Sequence, residues 1–158
     1  MPNYEIIFRT ATADDAEALV RLINRAFAIE LKFFSTERID LPGVLEHVKK
    51  GTILVAEETG TLAGCVYLEV RGELSYFGLL AVDPDHQGRR IGLKLIDAAE
   101  GFGRDAGCTV MQIRILHLRT ELPPFYEKLG YTVLRNETPP QISTAYQPYQ
   151  FILMEKGL

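Results

Sequence analysis

The chain opens on YEIIFRT, Tyr4–Thr10, a run of β-branched and aromatic residues that predicts a first strand. Thr12 followed by Asp15 has the spacing of a capping box, and behind it Ala16, Leu19, Ile23, Ala26 and Phe27 recur at helical intervals. The stretch FAIELKFFSTERIDLPG is irregular, aromatic and acidic; VLEHVKK then predicts a second helix stopped by Gly51. Three strands follow, Thr52–Glu58, Leu62–Val70 and Glu73–Val82, joined through Thr59-Gly60 and Arg71-Gly72 as an antiparallel meander. The third is apolar almost throughout, which puts it at the centre of a sheet and buried on both faces.

DPD breaks that strand and a third helix begins. Ile91, Leu95, Ala98, Ala99, Phe102 and Ala106 make its apolar stripe, Arg90, Lys94, Asp97 and Arg104 its wet one, and Gly107 ends it. Thr109–Leu116 reads as a strand. PPFYEKLG is a short helix, with prolines in a first turn that has no hydrogen bond to lose and Gly130 as its stop. YTVLR and YQFILME are closing strands around a polar, Pro-rich loop. The order βααβββαβαββ predicts a mixed α/β (α+β) fold, with antiparallel strands first and a crossover helix later. No linker, repeat or low-complexity tract interrupts it, so residues 1–158 are expected to form one domain.

Composition narrows the partners. Hydrophobic residues are 47% and charged residues 24%, values of an ordinary globular chain. The net charge of −4 argues against nucleic acid or an anionic membrane as main partner, since both need a clustered basic surface. No apolar run reaches the roughly 18 residues of a membrane span, and the start lacks a signal peptide's basic-then-apolar order, so a cytoplasmic location is expected. Cys65 and Cys108 lie far apart in apolar surroundings and read as buried free thiols. No CxxC or His-x-x-x-His occurs, and no metal site is expected.

The start of the third helix carries the chemistry. Gly88, Arg89, Arg90 and Gly92 crowd its first turn, although glycine is a poor helix former and cations sit badly at the positive end of the dipole. A first turn leaves about four N–H groups unpaired, and the glycines leave the approach to them open. A docked phosphate or diphosphate satisfies all of these features; a plain helix start with solvated arginines is the competing reading. No Gly-Lys-Ser/Thr ends the loop and no GxGxxG follows the first strand, which speaks against a P-loop and a dinucleotide fold.

LLAVDPDHQGRRIGLKLI resembles the acetyl-CoA signature of the GNAT superfamily of N-acetyltransferases, Gln/Arg-x-x-Gly-x-Gly/Ala opening a helix after a buried strand. Gln87 and Gly92 match, and Arg90 stands where the pattern has its first glycine. PPFYEKLGY is similar to the family's late Phe-Tyr-x-x-x-Gly-Phe/Tyr segment, and the element order matches over nearly the whole chain. The resemblance implies a sheet splayed between the fourth and fifth strands. The pantetheine arm of acetyl-CoA would lie in the gap along Leu80, Ala81 and Val82. The diphosphate would rest on the N–H groups of Gln87, Gly88, Arg89, Arg90, Ile91, Gly92 and Leu93.

The implied reaction is direct attack of a small-molecule or protein amine on the thioester. By resemblance, the Val82 N–H is the oxyanion donor and Tyr126 the general acid to the leaving thiolate. Many members carry a glutamate where this chain has Tyr76; Tyr76 and Glu69 are the candidates to act as base or to hold a water that does. Arg119 replaces a frequent asparagine and is a candidate cofactor contact. Glu30, Phe33 and Phe34 are expected to build an acidic-aromatic cleft for a cationic amine. A homodimer is a further arrangement the family allows. The alternatives are a non-catalytic acyl-CoA-binding module of the same shape, and an unrelated binder of phosphate esters.

Overall fold

The computed structural model describes residues 5–158, so Tyr4 of the first predicted strand lies outside the described residues. The strands are β1 (Ile6–Thr10), β2 (Thr52–Glu58), β3 (Thr61–Arg71), β4 (Leu74–Val82), β5 (Val110–Leu116), β6 (Thr132–Glu137) and β7 (Phe151–Gly157). The helices are α1 (Ala16–Ala26), α2 (Leu41–Lys50), α3 (Ile91–Asp105) and α4 (Leu122–Glu127). One seven-stranded sheet runs β1-β2-β3-β4-β5-β7-β6. Every pair is antiparallel except β4 with β5, which α3 joins as a crossover. The mixed fold expected from the element order is the one observed.

Local chemistry sets the helix ends. The Thr12 N–H donates to the Asp15 carboxylate at 2.8 Å, as the capping-box spacing predicts. α2 begins at Leu41 rather than Val44, because the Asp40 side chain accepts from the Gly43 N–H at 2.8 Å and Pro42 fits the first turn. Gly51 ends α2, but its φ of −143° is not left-handed. Packing requires glycine there: a Cβ would lie 2.5 Å from the Leu68 carbonyl oxygen and 2.7 Å from the Tyr67 hydroxyl. On α3 the buried stripe is Ile91, Leu95, Ile96, Ala99, Glu100 and Gly103. Ala106, expected in it, is exposed, because the helix ends at Asp105 and the chain turns away through Gly107 at φ 84°.

Two cores flank the sheet. One holds Leu95, Met111, Tyr126, Tyr131 and Met154 under α3 and α4. The other holds Leu19, Ile23, Val55, Cys65 and Tyr67 under α1 and α2. β4 changes sides between them. Phe77 packs into the first core, whereas Leu79 and Ala81 pack into the second, although i, i+2 and i+4 of a regular strand share one face. The cause is a bulge: Tyr67 pairs with Gly78 and Cys65 with Ala81, so β4 carries one residue more than β3, and Leu79 takes a left-handed φ of 49°.

β4 is central, as its apolar run predicts, but it is not buried on both faces. Its alternate residues Tyr76, Gly78 and Leu80 are half-buried and line a cleft. β3 is the fully enclosed strand, buried without a break from Ala63 to Leu68. Cys65 and Cys108 are free and buried, and burial pushes the Cys65 thiol up to about 12. No described helix is long and apolar enough to cross a membrane.

Candidate active site

β4 and β5 touch only where Leu74, Ser75 and Tyr76 pair with Val110, Met111 and Gln112. β5 then continues along β7 to Leu116, while β4 from Phe77 onward keeps only β3. The two strands part just past Tyr76, where the Leu79 bulge bends β4. Asp83 donates its N–H to the Ala63 carbonyl at 2.8 Å. Alternation therefore turns the Val82 N–H and C=O, and those of Leu80, away from β3 and toward the gap.

β4 leads into the mouth of α3. The Asp83 carboxylate accepts from the Asp85 N–H at 2.8 Å and pairs with Arg25 at 2.7 Å, fixing the turn. Gly88 and Arg90 are left-handed, with φ of 83° and 60°. Among the described residues, no protein atom accepts from the backbone N–H groups of Gln87 through Leu93; the first intrahelical bond runs from Lys94 to the Arg90 carbonyl at 3.0 Å. This run exceeds the usual deficit of a helix start. A Cβ on Gly88 would meet nothing within 4 Å, and one on Gly92 only Val82 at 3.5 Å. The cradle fits a diphosphate, and the uncovered edge of β4 fits an extended amide-bearing arm such as pantetheine.

The arginines of this turn divide their tasks. Arg89 turns back to an ion pair with Glu58 on β2. Arg90 is exposed and bears the left-handed strain of a non-glycine residue, about 1–2 kcal/mol.

The gap opens into a cleft of about 220 Å³ whose walls include Tyr76, Gly78, Leu80, Arg119 and Tyr126. Tyr126 is buried, edge-on to Phe125 and Tyr131 with ring centroids at 5.0 and 5.8 Å. Among the described residues its hydroxyl makes no hydrogen bond, and burial pushes its pKa up to about 12. Tyr76 faces Glu69 across the β3–β4 ladder, with the Arg114 guanidinium 5.7 Å from its ring centroid. Burial raises the Tyr76 pKa. A Cβ on Gly78 would lie 2.7 Å from the Tyr76 hydroxyl, so glycine lets that ring fold over the strand. Burial works against the charge of Glu69, but Arg71 at 3.0 Å and Lys50 outweigh it and hold the carboxylate below its usual range.

Of the residues expected to build an acidic-aromatic cleft, Glu30 and Phe34 line one common space and Phe33 does not. Phe34 packs edge-on to Tyr149 at 5.3 Å and lines a space of about 190 Å³ with Phe27, Tyr149 and Phe151. Phe33 is not part of that lining and has the Lys32 ammonium 5.1 Å from its ring. Glu30 lines this space too and is paired with Arg119 at 2.8 Å, and Arg119 also binds Glu121. Arg119 thereby ties the segment after α1 to the loop before α4, a partnership no local sequence signal announces. Arg38, Gly78 and Arg114 also line the site and went unmarked in the sequence, since each gains its place only through long-range packing.

Residues 49–133 match the family described as the acetyltransferase (GNAT) domain. Mycothiol acetyltransferase of Propionibacterium freudenreichii subsp. shermanii is 28% identical over 94 residues, 55% of this chain. The chain covers 29% of that curated relative's length. Among solved structures, a ribosomal-protein-alanine N-acetyltransferase from Brucella melitensis aligns with a TM-score of 0.76 at 20% identity, covering 96% of this chain and 99% of that one. A Salmonella typhimurium protein solved with its cofactor acetyl-CoA aligns with a TM-score of 0.72 at 20% identity, covering 97% and 94%. These structural likenesses show the shared fold.

Proposed function

The chain belongs to the GNAT family of acetyltransferases, and from that premise we propose that it transfers an acetyl group from acetyl-CoA to a primary amine by direct attack, residues 1–158 acting as one N-acetyltransferase domain. The observation that carries this reading is the run of unaccepted N–H groups from Gln87 to Leu93 beside a strand edge that β5 leaves uncovered.

Acetyl-CoA supplies an acyl group already activated as a thioester. The amides of Gln87–Leu93 hold its diphosphate, and the outward groups of Leu80 and Val82 pair with its pantetheine arm. Leu80 is favoured over Val82 as the donor facing the carbonyl oxygen where negative charge develops. Leu80 lines the cleft together with Tyr126 and Tyr76, whereas Val82 lies against Gly92 at the diphosphate end.

Tyr126 keeps its proton to high pH and gives it to the departing sulfur as the N–C bond forms and the C–S bond breaks. Solvent then reprotonates the phenol. The Glu69 carboxylate, held low by Arg71, is a weak base and orients the incoming ammonium; the ammonium proton leaves to bulk solvent, relayed by a water between Glu69 and Tyr76, before the neutral amine attacks. Arg119 keeps the wall of the cleft in place through Glu30 and Glu121.

The test is thermal unfolding with and without acetyl-CoA, followed by thiol release over a panel of amines. Ligand at 100 times its Kd adds about 2.7 kcal/mol of stability. Acetyl-CoA is expected to stabilise the protein and at least one amine to release thiol. Stabilisation without thiol release from any amine supports the acyl-CoA-binding module instead. Full stabilisation by ADP alone supports a phosphate-ester binder.

A further inference from the structure

Past the gap between β4 and β5 the cleft widens into a second space of about 350 Å³, and the two share Arg38, Tyr76, Gly78, Leu79 and Arg114. The wall of this space carries the cations Arg38, Lys50, Arg71 and Arg114 against the single carboxylate of Glu69. In a chain of net charge −4 that is a local reversal of sign. Arg71 is engaged by Glu69 at 3.0 Å and Arg114 by Glu137 at 2.8 Å. Arg38 and Lys50 have no ion-pair partner among the described residues; the Arg38 guanidinium lies 5.6 Å from the Phe27 ring centroid.

A second observation points to a ligand at the same wall. Tyr67 is 2% exposed, and its enclosed hydroxyl has no hydrogen-bond partner. Glu69 is the neighbouring acceptor: after burial, its charge and its hydrogen-bonding reach push the phenol's pKa up, but the pair does not meet hydrogen-bond geometry in the structure, so the bond is not made. An enclosed O–H is costly unless something accepts from it.

We infer that the acceptor is a small primary amine that also carries an oxyanion group, a carboxylate or a phosphorus oxyacid, held in this second space. The inference rests on the acetyl-transfer reading above and names the substrate class of that site. Arg38 and Arg114 bind the oxyanion, Lys50 adds to the field, and the Tyr67 hydroxyl donates to one of its oxygens. The amine end reaches back through the gap to Glu69 and Tyr76. The volume suits a compound of amino-acid size.

The experiment measures thiol release from acetyl-CoA with matched acceptors: phenylalanine against phenylalaninamide, and 2-aminoethylphosphonate against propylamine. The acidic member of at least one pair is expected to give a kcat/KM about tenfold higher or more, and the two pairs tell carboxylate from phosphonate. Arg38→Ala, at an exposed position that leaves the core intact, is expected to cut that preference about tenfold, through KM more than kcat. Tyr67→Phe lowers it further in the same sense. Calorimetric titration of phenylalanine and 2-aminoethylphosphonate without acetyl-CoA reads binding apart from turnover, and Arg38→Ala is expected to weaken it about tenfold. Thiol release that favours the amide, propylamine or a peptide amine overturns this inference and leaves acetyl transfer standing. No thiol release from any acceptor overturns both.

Discussion

Tyr126 and Arg90 show how one side chain's surroundings change what its chemistry is worth. A phenol raised to about 12 by burial stays protonated across the working range, which keeps a proton in place for the acid role proposed for it. Tyr126→Phe is expected to lower kcat by about 10²-fold with little change in the Kd for acetyl-CoA. Steady-state kinetics beside a binding titration check both numbers, and an unchanged kcat removes the role. In the wild type no alkaline loss of kcat from this group is expected below a pH of about 11. Arg90 is a different case: its type was legible as a departure from a glycine, but its φ of 60° was not. Arg90→Gly relieves about 1–2 kcal/mol of left-handed strain and gives back about 0.5–1 kcal/mol in chain entropy. A rise in Tm of about 2 °C is the expected sum, read by calorimetry. The charges that line the second space, Arg38 and Arg114, carried no local signal, because a surface arginine in sequence looks the same whether it faces water or a cleft.

Among the elements, the glycine-rich start of α3 and the apolar run of β4 were readable, because capping, turn and periodicity rules act over a few residues. The bulge was not. Nothing in SYFGLLAV marks Leu79 as the residue that turns left-handed; the choice comes from β3 and from two cores competing for the side chains of one strand. Its consequence reaches the function, since the strands part where the bulge bends β4. α3 in turn depends on Gly64 of β3, where a Cβ would lie 2.9 Å from both the Ala81 carbonyl oxygen and a Leu95 methyl. Gly64→Ala is expected to cost about 1–3 kcal/mol in chemical denaturation by pushing α3 off the sheet, and to weaken acetyl-CoA binding with it. A variant as stable as the parent shows that the helix does not depend on this contact.

The molecule as a whole concentrates shifted phenols: burial raises Tyr67, Tyr76, Tyr126 and Tyr131 above their ordinary value. The unfolded chain therefore ionises first. The stability these groups contribute is fully present below pH about 10 and is lost as pH climbs toward their folded values. On the acid side, Arg9 holds Asp15 low and Arg119 holds Glu121 low. Those contributions are present above pH about 4 and fade as pH falls, modestly for the exposed Glu121. Denaturation midpoints should form a plateau between pH about 5 and 10 with a decline on either side; constant stability from pH 9.5 to 11.5 contradicts the alkaline half. Taken alone, the sequence determined the order of elements, the central place of β4, the free thiols and the glycine-rich start of α3 with its open amides, because periodicity, caps and backbone valence are local and survive in one dimension. Only the tertiary structure decided the face switch at Leu79, the pairing of Glu30 with Arg119, and the group of cations beyond the gap. Those are set by which distant side chains meet, and the lowest-energy set of such meetings is a property of the packed chain.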